Sequence, residues 1–383
     1  MRARQVFSAV LGVLLVAPAA FADPYYAVNL GPSGFDYSWA GGVSGSQQVG
    51  YGSGSATGGI THALLWSGTA ASYVDLHPSG FDYSVAYGVS GSQQVGVGSG
   101  SATGNKNHAL QWSGTAASYA DLHPSGFDYS TATGVSGTQQ VGYAWGSATG
   151  GWMHALRWSG TAASYVDLHP SGFTYSVATG VSDTQQVGGG YEAGRWHALL
   201  WSGTAASCID LTPSGYSGSV AYAVSDGQQV GLGTGSPGGG NMHALLWSGT
   251  ADKYVDLNPS GFDHSAALGV SGTQQVGYGL NWGGNEHALL WSGTAASCLD
   301  LSTFLPAGYD SSRALGIDSA GNIVGWAEAG GVYRAVLWQD EPGEPLPVPP
   351  IPPGPNPVPL PGAALLGVLG LSVAGWRLRR RTS

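Results

Sequence analysis

The chain has 383 residues, of which 9% are charged, against about a quarter in an average globular protein. Glycine and proline together supply 86 residues, close to low-complexity composition, yet the aromatic share of 11% exceeds what a chain without an apolar core carries. Half of the 12 basic residues sit at the two ends, leaving six against 22 acidic ones between them. Such a body repels phosphate backbones and excludes nucleic acid as a partner. No Gly-X-Y period exists, which excludes collagen.

Residues 1–22 are expected to form a secretory signal. Arg2 and Arg4 supply a basic start, residues 6–16 an apolar stretch too short to span a bilayer, and Ala20-Phe21-Ala22 a small-x-small cleavage site.

The middle of the chain is one unit repeated. His-Ala-Leu-Leu-Trp or a close variant starts at His62, His108, His154, His197, His243 and His287, with a degenerate copy at Arg334. The starts are 46, 46, 43, 46, 44 and 47 residues apart, the length of a four-stranded propeller blade. Gly, Ser, Thr and Val dominate and no 3.6-residue apolar period appears, which disfavours helical repeats. In the second unit, strands are expected at 85–90, 94–98, 108–112 and 119–122, separated by turn-rich segments. In the fullest copies, such as Ala63-Leu64-Leu65-Trp66, the third run is apolar on both faces, as a strand covered by neighbours on both sides must be.

Tyr26-Ala27-Val28-Asn29-Leu30 matches the fourth run, as in Tyr73-Val74-Asp75-Leu76, but no first three runs precede it. The repeats stop after a third run at Trp338, so the orphan strand at the start supplies the one lacking at the end. The expectation is an all-β, seven-bladed β-propeller of four-stranded blades over residues 23–340, closed by the N-terminal strand, which leaves no open sheet edge. The alternative is an open β-solenoid, which would want capping repeats.

The string Gln47-Gln48-Val49-Gly50-Tyr51, a loop, then His62-Ala63-Leu64-Leu65-Trp66-Ser67 resembles the HAF family of extracellular repeats, with Leu64 where that family has Phe. The resemblance covers residues 25–338 and implies an extracellular β-rich repeat protein without a stated activity.

Residues 341–361 form a Pro-rich linker expected to run as extended polyproline II. Residues 362–376 are uncharged and largely apolar, and Arg377, Arg379, Arg380 and Arg381 end the tail as a basic stop. Val358-Pro359-Leu360-Pro361 ahead of such a tail resembles the VPLP variant of PEP-CTERM sorting signals, Leu360 standing where the main class has Glu. The resemblance implies an exosortase-type membrane protease of a Gram-negative bacterium as partner, with a membrane tail that is transient or retained; a plain C-terminal anchor is the alternative.

One histidine per unit at a fixed position reads as a structural hydrogen bond to backbone or to the Asp of a neighbouring run; equivalent positions in a ring lie too far apart to share a metal. No metal site and no cofactor is expected. Asp75, Asp121, Asp167, Asp210, Asp256 and Asp300 occupy one repeated slot, whereas a glycosidase needs two carboxylates in unlike environments. No nucleophile elbow, phosphate loop or zinc-protease motif appears. The chain is therefore expected not to be an enzyme.

Trp145, Trp152, Tyr191, Trp196 and Trp282 lie in the variable loop between the second and third runs, where exposed rings could form a platform for sugars. Cys208 and Cys298 take equivalent positions two blades apart and are expected to stay unpaired. The sequence thus points to an exported, non-enzymatic cell-surface or matrix protein, a scaffold or a module binding exopolysaccharide or other surface proteins. The alternative is a secreted propeller hydrolase or lyase acting on polysaccharide.

Overall fold

A computed structural model describes residues 25–235 and 239–340. The expected leader at 1–22 and the linker and sorting tail at 341–383 lie outside the described residues. Among those described there are 28 strands, nine short 3-10 turns and no α-helix.

The first strand, β1 (Tyr26–Asn29), stands apart from the blade that follows it. That blade consists of β2 (Tyr37–Ser44), β3 (Gln47–Ser53), β4 (His62–Trp66) and β5 (Val74–Asp75), paired in sequence order as an antiparallel sheet. The pattern recurs to give seven four-stranded sheets, a seven-bladed β-propeller. The last sheet has three strands of its own, Ser311–Ile317, Ile323–Ala329 and Val332–Gln339, and takes β1 as its fourth. Tyr26 pairs with Gln339 and Asn29 with Val336, so the orphan run closes the ring.

Strand limits differ from expectation at the two sides of a blade. In the second blade the inner strand is longer, Tyr83–Ser90, and the outer one is only Ala120–Asp121. The residues ahead of that outer strand form a 3-10 turn instead, because the Ser118 hydroxyl donates to the Thr115 carbonyl at 2.6 Å and accepts the Ser113 N–H at 2.8 Å. A short outer strand also exposes little unpaired edge.

Between blades the core is built from the repeated motif. The Trp at the end of each third strand, from Trp66 to Trp338, is fully buried. Trp112 shows the arrangement, packing with Val49, Ala63 and Leu65 of the blade before it. The Ala that follows each motif histidine donates its N–H to a buried Ser at the start of the next blade: Ala63 to Ser84 Oγ at 3.0 Å, and so on around the ring. Ala335 to Ser38, also at 3.0 Å, makes the seventh such stitch and joins the last blade to the first. At the turns between the first and second strands a glutamine ladder links neighbouring blades in the opposite donor sense, with Gln94 Nε2 donating to Gln47 Oε1 at 3.0 Å.

Every innermost strand carries a bulge at the same register. The bulged residues are Gly41, Tyr87, Thr133, Thr179, Tyr222, Leu268 and Leu315, and all face the central channel. In five of the blades the bulge turns a carbonyl toward the glycine after the bulge in the preceding blade. A Cβ on Gly180 would stand 2.7 Å from the Tyr222 carbonyl, and one on Gly42 3.0 Å from that of Tyr87. Glycine there in six blades, and Ala223 in the fifth, lets the backbones approach.

Cys208 and Cys298 are unpaired and part-buried, each closing the 3-10 turn just ahead of the outer strand of its blade. Burial first, then the nearby Asp210 and Asp300, push each thiol up to about 12.

Candidate functional site

The motif histidines lie at the loop end of each third strand. Each bonds through Nδ1 to the Asp of the fourth strand in its own blade: His62 to Asp75, His108 to Asp121, His154 to Asp167, His197 to Asp210, His243 to Asp256 and His287 to Asp300, all at 2.6–2.7 Å. The same carboxylates cap the turn that follows, Asp75 accepting the His77 N–H at 2.8 Å. These pairs pin the outer strand to the blade, the structural role expected of them. Among the described residues no group of three or more His, Cys, Asp or Glu is placed to hold a metal ion.

The chemistry left over is aromatic and lies on one face. The segment entering each blade meets the loop between its second and third strands: Asp36 N–H donates to Ser53 O at 2.7 Å and Ala56 N–H to Gly34 O at 3.0 Å. Both segments therefore emerge together, on what is called here the loop face. In the first four blades the inner strand starts with a tyrosine: Tyr37, Tyr83, Tyr129 and Tyr175. The corresponding residues in the last three are Gly218, His264 and Ser311.

Those tyrosines engage the variable loops and the strand ends beside them. Trp145 ends the second strand of the third blade, and Tyr191 and Trp196 lie on the second and third strands of the fourth rather than in the loop as expected. The Tyr37 hydroxyl lies 2.7 Å from Thr61 Oγ1, and Tyr83 donates to Asn107 Oδ1. Tyr129 stacks on Trp145 with centroids 4.6 Å apart, and Trp145 also lies against Tyr143. Tyr175 pairs across the ladder with Tyr191, and Tyr191 with Trp196. Their rings follow the register: Tyr175 and Tyr191 stack at 4.7 Å and 6°, with Trp196 5.6 Å from each. Trp152 reaches over from the third blade to stack on Tyr175 at 6.1 Å and 24°, and is 54% exposed.

The structure thus brings Trp152, Tyr191 and Trp196 into one four-ring group around Tyr175. Trp145 belongs to a separate stack on Tyr129, and Trp282, 82% exposed in the sixth blade, stands apart from both. Trp196 also leans on Val220 and Leu232 of the fifth blade, so one side of it is core. Burial, then the neighbouring Tyr191 hydroxyl, push the Tyr175 phenol up. Tyr129 and Tyr175 went unrecognised in the sequence, although Asp-Tyr-Ser at 128–130 and Thr-Tyr-Ser at 174–176 mark them. Their aromatic partners become visible only once the strand register is known.

No protein-family model matches the chain, and no curated protein sequence does. Solved structures match it by shape. A puromycin hydrolase superposes with a TM-score of 0.55 at 10% identity, over 79% of this chain and 51% of its own. A puromycin-hydrolyzing peptidase of Mycobacterium tuberculosis gives 0.53 at 12% identity, over 80% and 50%. The β-propeller domain of the Trilobed protease from Pyrococcus furiosus, described as having an open velcro topology, gives 0.51 at 9%, over 80% and 94%. The match thus spans about half the length of the first two proteins. At such identities the likeness shows the propeller fold alone.

These comparisons correct one expectation. The repeated carboxylate slots led to the reading that the chain is not an enzyme. A puromycin hydrolase and a peptidase contain the same fold, so that exclusion does not stand. Uniform Asp slots describe what holds the blades together; they leave open what loops and the channel do.

Proposed function

We propose that this protein is exported to the cell surface or extracellular matrix, where its loop face holds a polysaccharide chain. The observation that carries the reading is the Trp152–Tyr175–Tyr191–Trp196 group, rings from two adjacent blades on one face, with Trp152 open to solvent. Aromatic faces pack against the C–H faces of sugar rings, and ring contacts contribute about 0.5–1.5 kcal/mol each. A chain touching several rings at once gains by avidity. The Tyr129–Trp145 stack in the third blade offers a second contact along the same arc. The basic, apolar and small-residue leader at 1–22 supports export. Val358-Pro359-Leu360-Pro361 and the Arg377 to Arg381 cluster support processing by an exosortase-type protease.

The test is retention of the protein on a column of the producing cell's own exopolysaccharide. Trp152→Ala with Tyr191→Ala is expected to elute early while thermal unfolding stays cooperative. Elution identical to the parent, or no retention of the parent, overturns the reading. A second reading, a secreted hydrolase or lyase acting on the same polymer, takes its support from the hydrolases that share the fold. Release of reducing ends or unsaturated sugars during the same incubation identifies it.

A further inference from the structure

The central channel holds a cavity of about 260 Å³ lined by all seven innermost strands. Its wall is built from positions that the repeat treats in opposite ways. The residue before each bulge is Ala in every blade, from Ala40 to Ala314, and the residue after it is Gly in six blades and Ala223 in the fifth. The bulged residue between them takes four identities in seven copies. Closing a ring of equal blades asks for one residue repeated, as the flanking positions show. The bulged side chains face the cavity and make its wall asymmetric, which suits an asymmetric occupant.

The chemistry of the wall restricts that occupant. None of the lining residues is charged. Trp39 and Tyr51 stack at 5.9 Å on the side of the first blade, and Tyr87 and Tyr222 enter from the second and fifth. Thr133 Oγ1 donates to Val141 O at 3.1 Å and Ala178 O at 2.8 Å, and Thr179 repeats the arrangement toward Val187 and Ala221. With their protons committed, these two hydroxyls have only lone pairs to offer. The occupant must therefore be uncharged, present a flat apolar face to aromatic rings, and donate hydrogen bonds from its edge.

We infer that the channel binds a single neutral hexopyranose unit, as a free sugar or the end of a chain. This inference does not rest on the loop-face reading, since a monosaccharide does not span the arc and the two sites share no residue. Small apolar pockets with a few placed polar groups are the ordinary form of such sites.

Calorimetric titration of the protein with glucose, galactose, mannose and their neutral disaccharides tests it. One sugar per chain is expected, with glucuronate and galacturonate binding about ten-fold or more weaker. Leu315→Trp fills the cavity from the seventh blade and is expected to abolish the heat while leaving cooperative unfolding in place. Leu268→Phe is the milder plug should the larger ring prevent folding. No heat with any neutral sugar, unaltered heat in the folded plugged variant, or equal binding of cyclohexanol overturns the inference. Polymer retention, measured separately, reports on the loop face alone.

Discussion

His77 lies flat on His62, ring centroids 3.8 Å apart and planes 2° from parallel. The same pair recurs as His108 with His123 and His154 with His169. In each, the second histidine bonds the buried Ser that stitches the next blade, His77 Nδ1 lying 2.8 Å from Ser84 Oγ. Burial first, and the stacked partner second, hold His77 and His123 below the usual histidine range, and His169 likewise. A histidine with a lowered folded pKa contributes stability that is full above its unfolded value near 6.5 and is lost as pH falls through the folded one. Below that window Asp75 and Asp167 act in the same direction. Burial raises their pKa, but the bonds from the paired histidines outweigh it and hold both carboxyls low, so their contribution disappears as pH falls below about 3.8.

The melting temperature is therefore expected to fall in two stages on acidification, the first beginning near pH 6.5. In the fourth blade Thr212 takes the place of the second histidine and accepts a hydrogen bond from Ser219 Oγ at 2.8 Å. The triple variant His77→Thr, His123→Thr, His169→Thr keeps that bond and is expected to lose the first stage only. A scan from pH 8 to 4 that shows the same first stage in the variant refutes this assignment.

Ring closure rests on few residues. Leu30 is fully buried just beyond β1, its N–H bonded to Ala335 O at 2.8 Å, and it packs with Phe35, Trp66 and Leu337 across the seam. Leu30→Ala is expected to cost about 2–5 kcal/mol in urea unfolding, as for other large cavities. A loss under 1 kcal/mol would mean that β1 contributes little to closure.

Two glycines make a paired test of backbone packing. A Cβ on Gly142, in the second strand of the third blade, would meet Thr131 O at 1.9 Å. Gly160, in the turn after Trp158, has φ +82° with open space around it. Gly160→Ala should cost the left-handed penalty of roughly 1–2 kcal/mol. Gly142→Ala must move backbone and is expected at or above the top of the roughly 1–3 kcal/mol of overpacked cores. The order of the two midpoints in denaturant is the measurement.

Both thiols are pushed up to about 12, chiefly by burial. Since the thiolate is the reactive form, an aromatic disulfide reagent at pH 8 should label the folded ring slowly and release two equivalents at once in guanidinium. Rapid labelling of the folded ring would contradict the part-buried placement of Cys208 and Cys298.

The fold could be read because each blade meets the same surroundings as the next. One surplus run at Tyr26 and one lacking run after Trp338 then sufficed to count strands and close the ring. The stitch between Ala63 and Ser84 was illegible, since its two ends lie 21 residues apart on different blades and Ser reads simply as a small strand residue. Tyr175 was missed for a related reason: its place among Trp152, Tyr191 and Trp196 depends on cross-strand register. The bulges were missed because the Ala before each and the Gly or Ala after it read as ordinary small strand residues, so Tyr87 and Tyr222 looked like ordinary strand tyrosines. The exclusion of catalysis failed because it judged only the repeated slots, whereas enzymes also use this architecture.

The way β1 meets the last strand also decides how the ring responds to tension. Tyr26 sits opposite Gln339, so the start of the first strand and the end of the last leave the rim side by side. Antiparallel ladder bonds run across the strands. Force applied between those two exits therefore loads the bonds one at a time, beginning at Tyr26 and ending at Asn29, as in a hairpin pulled open from its free ends. Stress between anything attached at the two exits would peel the seam open at low load, while the six other blades, closed within themselves, would bear none of it until the clasp had parted.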